Sequence, residues 1–124
     1  GMLAAARRRA GHLPAAAFVR TGGRDLAMFA DASFDLVFAV DAVPYVVAGG
    51  AELVDATFAE MRRVARPGGD VLVVNYSYRG DLDADRADVA ALAARHGLEV
   101  LELGAQPFAR WDGAVFRLRR PAGD

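Results

Sequence analysis

Two short stretches of the chain carry side chains able to do chemistry, and each directly follows an apolar run. Asp41 comes after Phe34-Asp35-Leu36-Val37-Phe38-Ala39-Val40, with Pro44 and Tyr45 close behind. Asn75-Tyr76-Ser77-Tyr78-Arg79-Gly80 comes after Val71-Leu72-Val73-Val74. A carboxylate at the carboxyl end of a buried strand is placed to contact a ligand or to take a proton as a general base. The alternative is an Asx turn ahead of Pro44. Tyr45 is a candidate to line a pocket or, like Asp41, to act as a general base. In the second stretch, Asn75, Tyr76, Tyr78 and Arg79 offer polar groups, ring faces and a forked cation. Such a set suits a carboxylate or an aromatic ring on a small organic substrate. The competing reading is a turn whose tyrosine rings pack on the core.

Other chemistries are excluded or have a plainer explanation. The chain has no Cys, so thiolate metal sites, disulfides and a Cys nucleophile are out. His12 and His96 are far apart, no Ser–His–Asp arrangement can be argued, and no metal site is expected. Asp81, Asp83, Asp85 and Asp88 lack the central Gly and terminal Glu of a calcium loop, and suit a helix N-terminus instead. Trp111-Asp112-Gly113 reads as a tight turn. Arg117, Arg119 and Arg120 alternate with Phe116 and Leu118 and read as a solvated strand face. The formal net charge of -1 argues against a nucleic-acid partner. No apolar run reaches the roughly 18 residues of a membrane span. Arg7, Arg8 and Arg9 interrupt any signal-peptide layout, so a soluble, cytoplasmic protein is expected.

The elements that must position these residues follow from pattern and punctuation. With 124 residues, 54% of them apolar, the chain suffices for one small domain with a core. Met2 to Ala10 reads as a helix stopped at Gly11, and Ala15 to Arg20 as a short strand closed by Thr21-Gly22-Gly23. Ser33 to Val40 is apolar enough for a strand buried on both faces, as in a parallel sheet. Asp41 to Gly50 reads as a loop. Ala51 to Arg66 reads as a helix with Leu53, Val54, Phe58, Met61 and Val64 on one face, ended by a glycine turn at Pro67-Gly68-Gly69. Val71 to Val74 is a strand, and Asp85 to His96 is a helix facing inward with Val89, Leu92 and Ala93. Leu98 to Leu103 and Ala114 to Leu118 are strands able to pair antiparallel. Alternating helices and apolar strands imply an α/β layered domain.

Asp31-Ala32-Ser33-Phe34-Asp35-Leu36-Val37-Phe38 resembles the approach to the fourth strand of class I S-adenosylmethionine-dependent methyltransferases. Glu60-Met61-Arg62-Arg63-Val64-Ala65-Arg66-Pro67-Gly68-Gly69-Asp70-Val71-Leu72-Val73 resembles that family's next helix, Pro-Gly-Gly turn and fifth strand. The resemblance covers essentially the whole chain. It implies a truncated Rossmann-like methyltransferase fold, with a mostly parallel sheet and an antiparallel last strand. Met2 to Arg7 then resembles the helix after the family's second strand, and Ala15 to Thr21 its third strand. The first two strands and the glycine-rich cofactor loop have no counterpart. By the resemblance, Gly22, Gly23, Asp25 and Leu26 fall at the adenine-contacting turn of S-adenosylmethionine; Asp41, from its place at a strand end, is a further candidate cofactor contact. The alternative for Gly22 to Asp25 is a plain turn followed by an Asp that caps local backbone. Asp41-Ala42-Val43-Pro44-Tyr45 is similar to the acidic-Pro-Pro-Tyr motif of amino-group methyltransferases, without its first Pro. The implied activity is methyl transfer to a small molecule. A non-catalytic binding or dimerisation module is the alternative. The missing neighbours leave the Ser33–Val40 strand with a bare edge, to be covered either by the Ala15–Thr21 strand sliding in beside it or by a second chain, and a homodimer through that edge is expected.

Overall fold

The computed structural model describes residues 1–14, 16–17, 19 and 25–124. In chain order the elements are α1 (Met2–Ala10), β1 (Phe34–Val40), α2 (Val43–Ala48), α3 (Ala51–Val64), β2 (Ala65–Val74), α4 (Leu82–Arg95), β3 (Glu99–Ala105) and β4 (Val115–Arg119). The strand expected over 15–20 and the turn at Thr21-Gly22-Gly23 fall largely outside the described residues.

The four strands form one sheet in the order β1-β2-β4-β3. β1 and β2 are parallel, and β4 runs antiparallel to both of its neighbours, β2 and β3. Three strands therefore point one way and the last the other, the truncated Rossmann-like arrangement expected. The connection between β1 and β2 runs through α2 and α3, as a parallel pair requires.

The core lies on one face of this sheet. Val54, Phe58 and Met61 of α3 and Val89, Leu92 and Ala93 of α4 pack over Val71 and Val73 of β2 and Phe116 and Leu118 of β4. The helix faces are those set by the 3.6-residue period, and the strand residues are alternate ones, as the pleat demands. Phe58, Phe116 and Leu118 are fully buried. On the opposite face Val74 and Val115 are buried at the strand ends, and β1 is more open. Along β1 this face presents Leu36, Phe38 and Val40, with Phe38 64% exposed. Along β2 and β4 it presents Asp70, held by Arg117 Nε at 2.9 Å and Arg119 Nε at 2.7 Å. The arginine row is thus a cross-strand ion cluster and not simply a solvated face. α1 buries none of its residues.

Three local expectations are corrected. The stretch 41–50 is not all loop, because α2 forms with Pro44 in its first turn, where a missing N–H costs nothing. α3 ends at Val64, and Ala65 is already extended, since Arg66 precedes Pro67 and is pushed out of the helical region. Pro67-Gly68-Gly69 is therefore an irregularity within β2, not a helix cap. The β1–β2 register jumps there from Phe34↔Ala65 to Leu36↔Asp70. A Cβ on Gly69 would lie 2.9 Å from the Arg66 carbonyl oxygen and 3.0 Å from that of Asp35, so only glycine lets the two strands approach. α4 starts one turn before the expected Asp85, because Asp81 caps it by accepting from the Ala84 N–H at 3.0 Å.

Candidate active site

β1 and β2 stop in register at Val40 and Val74. The next residue of each, Asp41 and Asn75, takes a left-handed backbone with φ of 55° and 64°. Asp and Asn tolerate that region best among residues with a side chain, because their short polar groups can bond locally. The strain is held in place by hydrogen bonds. Asp41 N–H donates to the Val74 carbonyl at 3.0 Å, and Asn75 N–H to the Ala114 carbonyl at 2.9 Å. Asn75 Nδ2 donates to Asp41 Oδ1 at 2.8 Å, while Asn75 Oδ1 accepts from Ala114 N–H at 3.0 Å. One asparagine thus ties together the ends of β1, β2 and β4.

The Tyr78 hydroxyl donates to the same Asp41 Oδ1 at 3.0 Å. Lost hydration, and then the neighbouring Asp41 carboxylate, push the Tyr78 phenol above its ordinary pKa, so it remains a donor. Both side-chain bonds use Oδ1. Asp41 Oδ2 is left without a hydrogen bond among the described residues. The Tyr45 ring stands edge-on to Tyr78, with centroids 6.1 Å apart.

Asp41, Asn75 and Tyr78 form one wall of an open cleft of about 540 Å³, whose other walls include Asp81, Gln106, Trp111 and Asp112, while Tyr45, 72% exposed, is outside its lining. Topology brings the last three there. β4 runs antiparallel between β2 and β3, so the β3–β4 connection passes over the ends where β1 and β2 stop. Gln106 Nε2 donates to the Asp112 carbonyl at 2.9 Å, and Trp111 packs on Phe108 with ring centroids 5.0 Å apart. Sequence reading left Trp111 and Asp112 in a turn, and nothing in their local pattern signals the cleft.

Two expected substrate-binding residues are placed elsewhere. Tyr76 is 4% exposed and sits between Phe58 and Phe116 in the core. Arg79 donates to Asp85 at 2.9 Å and to Asp88 at 2.7 Å, and lies over the Tyr76 ring. These carboxylates, Asp88 first, hold its guanidinium above its ordinary pKa. Its fork is occupied, so it does not offer itself to a substrate carboxylate.

A family profile described as a methyltransferase domain matches residues 1–73. The chain belongs to the methyltransferase domain family. Curated proteins give no match. Among solved structures it is similar to the [4+2]-cyclase SpnF, with 16% identity and a TM-score of 0.64 over 97% of this chain and 61% of that one. An O-methyltransferase family protein from Burkholderia thailandensis has 17% identity and a TM-score of 0.63, over 87% of this chain and 36% of that one. A SAM-dependent methyltransferase from Methanosarcina mazei has 15% identity and a TM-score of 0.64, over 96% and 77%. The chain thus spans about six tenths of the first of these proteins and about a third of the second. By fold it is methyltransferase-like.

The described residues expected to hold the cofactor, Asp25, Leu26 and Asp41, do not gather. Gly22 and Gly23 lie outside the described residues. Asp25 Oδ1 accepts from Ala27 N–H at 3.1 Å, closing a local turn. Leu26 N–H, the group expected near the adenine, donates to Glu60 Oε2 at 2.9 Å, and Arg63 Nη2 donates to the Leu26 carbonyl at 2.9 Å. Glu60 is held below its ordinary pKa, first by Arg63 and then by that Leu26 N–H. Arg63 and Glu60 lie toward the end of α3, beside the start of β1, where Ser33 N–H donates to the Val64 carbonyl. Asp41 is at the other end of that seven-residue strand. The described members of the expected set therefore do not form a cradle for S-adenosylmethionine. No helix among the described residues is long and apolar enough to cross a membrane.

Proposed function

We propose that this chain is the acceptor side of a cytoplasmic S-adenosylmethionine-dependent methyltransferase acting on a small molecule, received in the cleft over the ends of β1 and β2. The observation that carries the reading is Asp41. It stands at the carboxyl end of a parallel strand, where ligands bind in open α/β sheets. It is fixed through Oδ1 by Asn75 and Tyr78, and its Oδ2 is free to face an acceptor. A carboxylate held this way orients an acceptor's O–H or N–H and takes up its proton. Tyr78 lines the cleft, with the Tyr45 ring edge-on behind it. Methyl transfer depends mainly on such positioning. The cofactor's remaining contacts would come from outside the described cleft. Fold likeness alone does not decide the chemistry, since one similar protein is a [4+2]-cyclase.

Calorimetric titration with S-adenosylhomocysteine, paired with thermal melting, tests this reading. A ligand at a hundredfold its Kd stabilises a fold by about 2.7 kcal/mol. Binding supports the reading and leads on to methyl-transfer assays. No heat and no shift at millimolar ligand removes the 124-residue chain as an autonomous enzyme.

A second reading, a non-catalytic module that pairs with its own copy, is favoured by the bare edge of β1. That strand is paired on one side only among the described residues, and Leu36, Phe38 and Val40 are exposed beside the open edge.

A further inference from the structure

We infer that the cleft selects a small cationic molecule, an amine, and turns away carboxylated or phosphorylated ones; this rests on the reading of the cleft as the acceptor side of a methyl-transfer site. The cavity at the strand ends makes it a site, and its wall charges decide what enters. Its volume of about 540 Å³ is that of a small-molecule pocket. Four carboxylates line it, those of Asp41, Asp81, Asp85 and Asp112, and among the described residues no Arg or His does. Asp85 is neutralised by Arg79 and bonded by Ser77.

The other three have no cationic partner among the described residues. Asp41 accepts from the neutral Asn75 and Tyr78. Asp81 accepts from the Ala84 N–H that it caps. The Asp112 carboxylate has no hydrogen bond, since Gln106 takes only its backbone carbonyl. Two nearby cations are committed elsewhere. Arg79 is held by Asp85 and Asp88, and Arg86 by Asp83 and the Leu103 and Gly104 carbonyls. Arg110 lies in an adjoining hollow that shares Gln106, Trp111 and Asp112 with the cleft, is not itself in the cleft lining, and makes no ion pair with Asp112.

In a chain of net charge -1, this cleft is a local concentration of negative charge, and a concave low-dielectric wall focuses its field. Tyr78 and Trp111 add ring faces to the lining, on which a cation or the apolar stem of an amine can rest.

The test is calorimetric titration of the chain with three molecules of matched shape: 2-phenylethylamine, 2-phenylethanol and 3-phenylpropionate. The amine should bind at least about tenfold tighter than the alcohol, and the carboxylate should give no heat. Raising salt to about 0.3 M should weaken the amine alone. Asp112→Asn should weaken it about three- to tenfold. The comparison among ligands on the unaltered chain needs no variant to fold. Equal affinity for all three, tighter binding of the carboxylate, or no binding of any at about 10 mM overturns the inference. S-adenosylhomocysteine titrated in parallel separates the two ideas. Amine selectivity without its binding supports the cleft assignment and counts against methyl transfer. Its binding without amine selectivity does the reverse.

Discussion

Asp41 and Asn75 end adjacent parallel strands, both with positive φ, and are joined by a 2.8 Å hydrogen bond from Asn75 Nδ2 to Asp41 Oδ1. Neither conformation is comfortable alone, and each side chain helps to hold the other. Asn75→Gly keeps the backbone free to adopt its angle but removes the bonds to Asp41 and Ala114, so it should cost about 1–2 kcal/mol. Asn75→Ala removes the same bonds and adds about 1 kcal/mol of left-handed strain. Urea denaturation of both variants measures the difference. If alanine proves no worse than glycine, the strain argument is wrong.

Gly113 lies beneath the Trp111 ring. A Cβ there would sit 2.8–2.9 Å from three ring atoms. Gly113→Ala should therefore tilt the half-exposed indole away from the cleft at a stability cost within about 1 kcal/mol. Trp111 is the only tryptophan, so its fluorescence reports the move directly. The emission should shift to longer wavelength and become easier to quench with iodide. An unchanged spectrum would mean that the ring does not rest on this glycine.

Asp70 couples β2 to β4 through Arg119 and Arg117. Chiefly because Arg119 donates to it, its carboxyl is held below the usual 3.8. A depressed folded-state pKa gives stability that is fully present above the unfolded value and lost as pH falls through the folded one. Asp70→Asn should cost about 1 kcal/mol at pH 7, solvent screening having reduced the pair's worth. Below pH 3.8 the gap between wild type and variant should close. Chemical denaturation across that range checks it. A gap that widens toward acid would contradict the assignment.

The uncovered side of β1 predicts self-association. Two copies of β1 running antiparallel and centred on Val37 would set Leu36 against Phe38 of the second copy and join two apolar rows, with Asp35 facing Ala39. Light scattering after gel filtration should give twice the chain's 13.1 kDa, and Phe38→Lys should return the monomer, as charged edges do. A wild-type chain that elutes as a monomer at about 100 μM would set the dimer aside.

Much of the fold was legible because its signals are local. The apolar run Phe34–Val40 and the 3.6-residue pattern of Val54, Phe58, Met61 and Val64 specify a strand and a helix without reference to the rest of the chain. Spacing between Ser33–Val40 and Pro67–Val73 was enough to suggest the family, and Asp41 and Asn75 were visible as polar residues ending apolar strands. Other features depend on what a residue meets in space. Pro67-Gly68-Gly69 reads as a helix stop until the strand beside it is known, and then it is a bulge closing on Asp35. Arg79 reads as a substrate anchor until α4 turns Asp85 and Asp88 toward it. Leu26 reads as a cofactor contact until Glu60 takes its N–H from 34 residues away. Trp111 and Asp112 enter the cleft only because β4 inserts antiparallel between β2 and β3. Periodicity is a property of neighbours in the chain. A binding site is made by residues that are not neighbours, and only tertiary packing decides which of them meet.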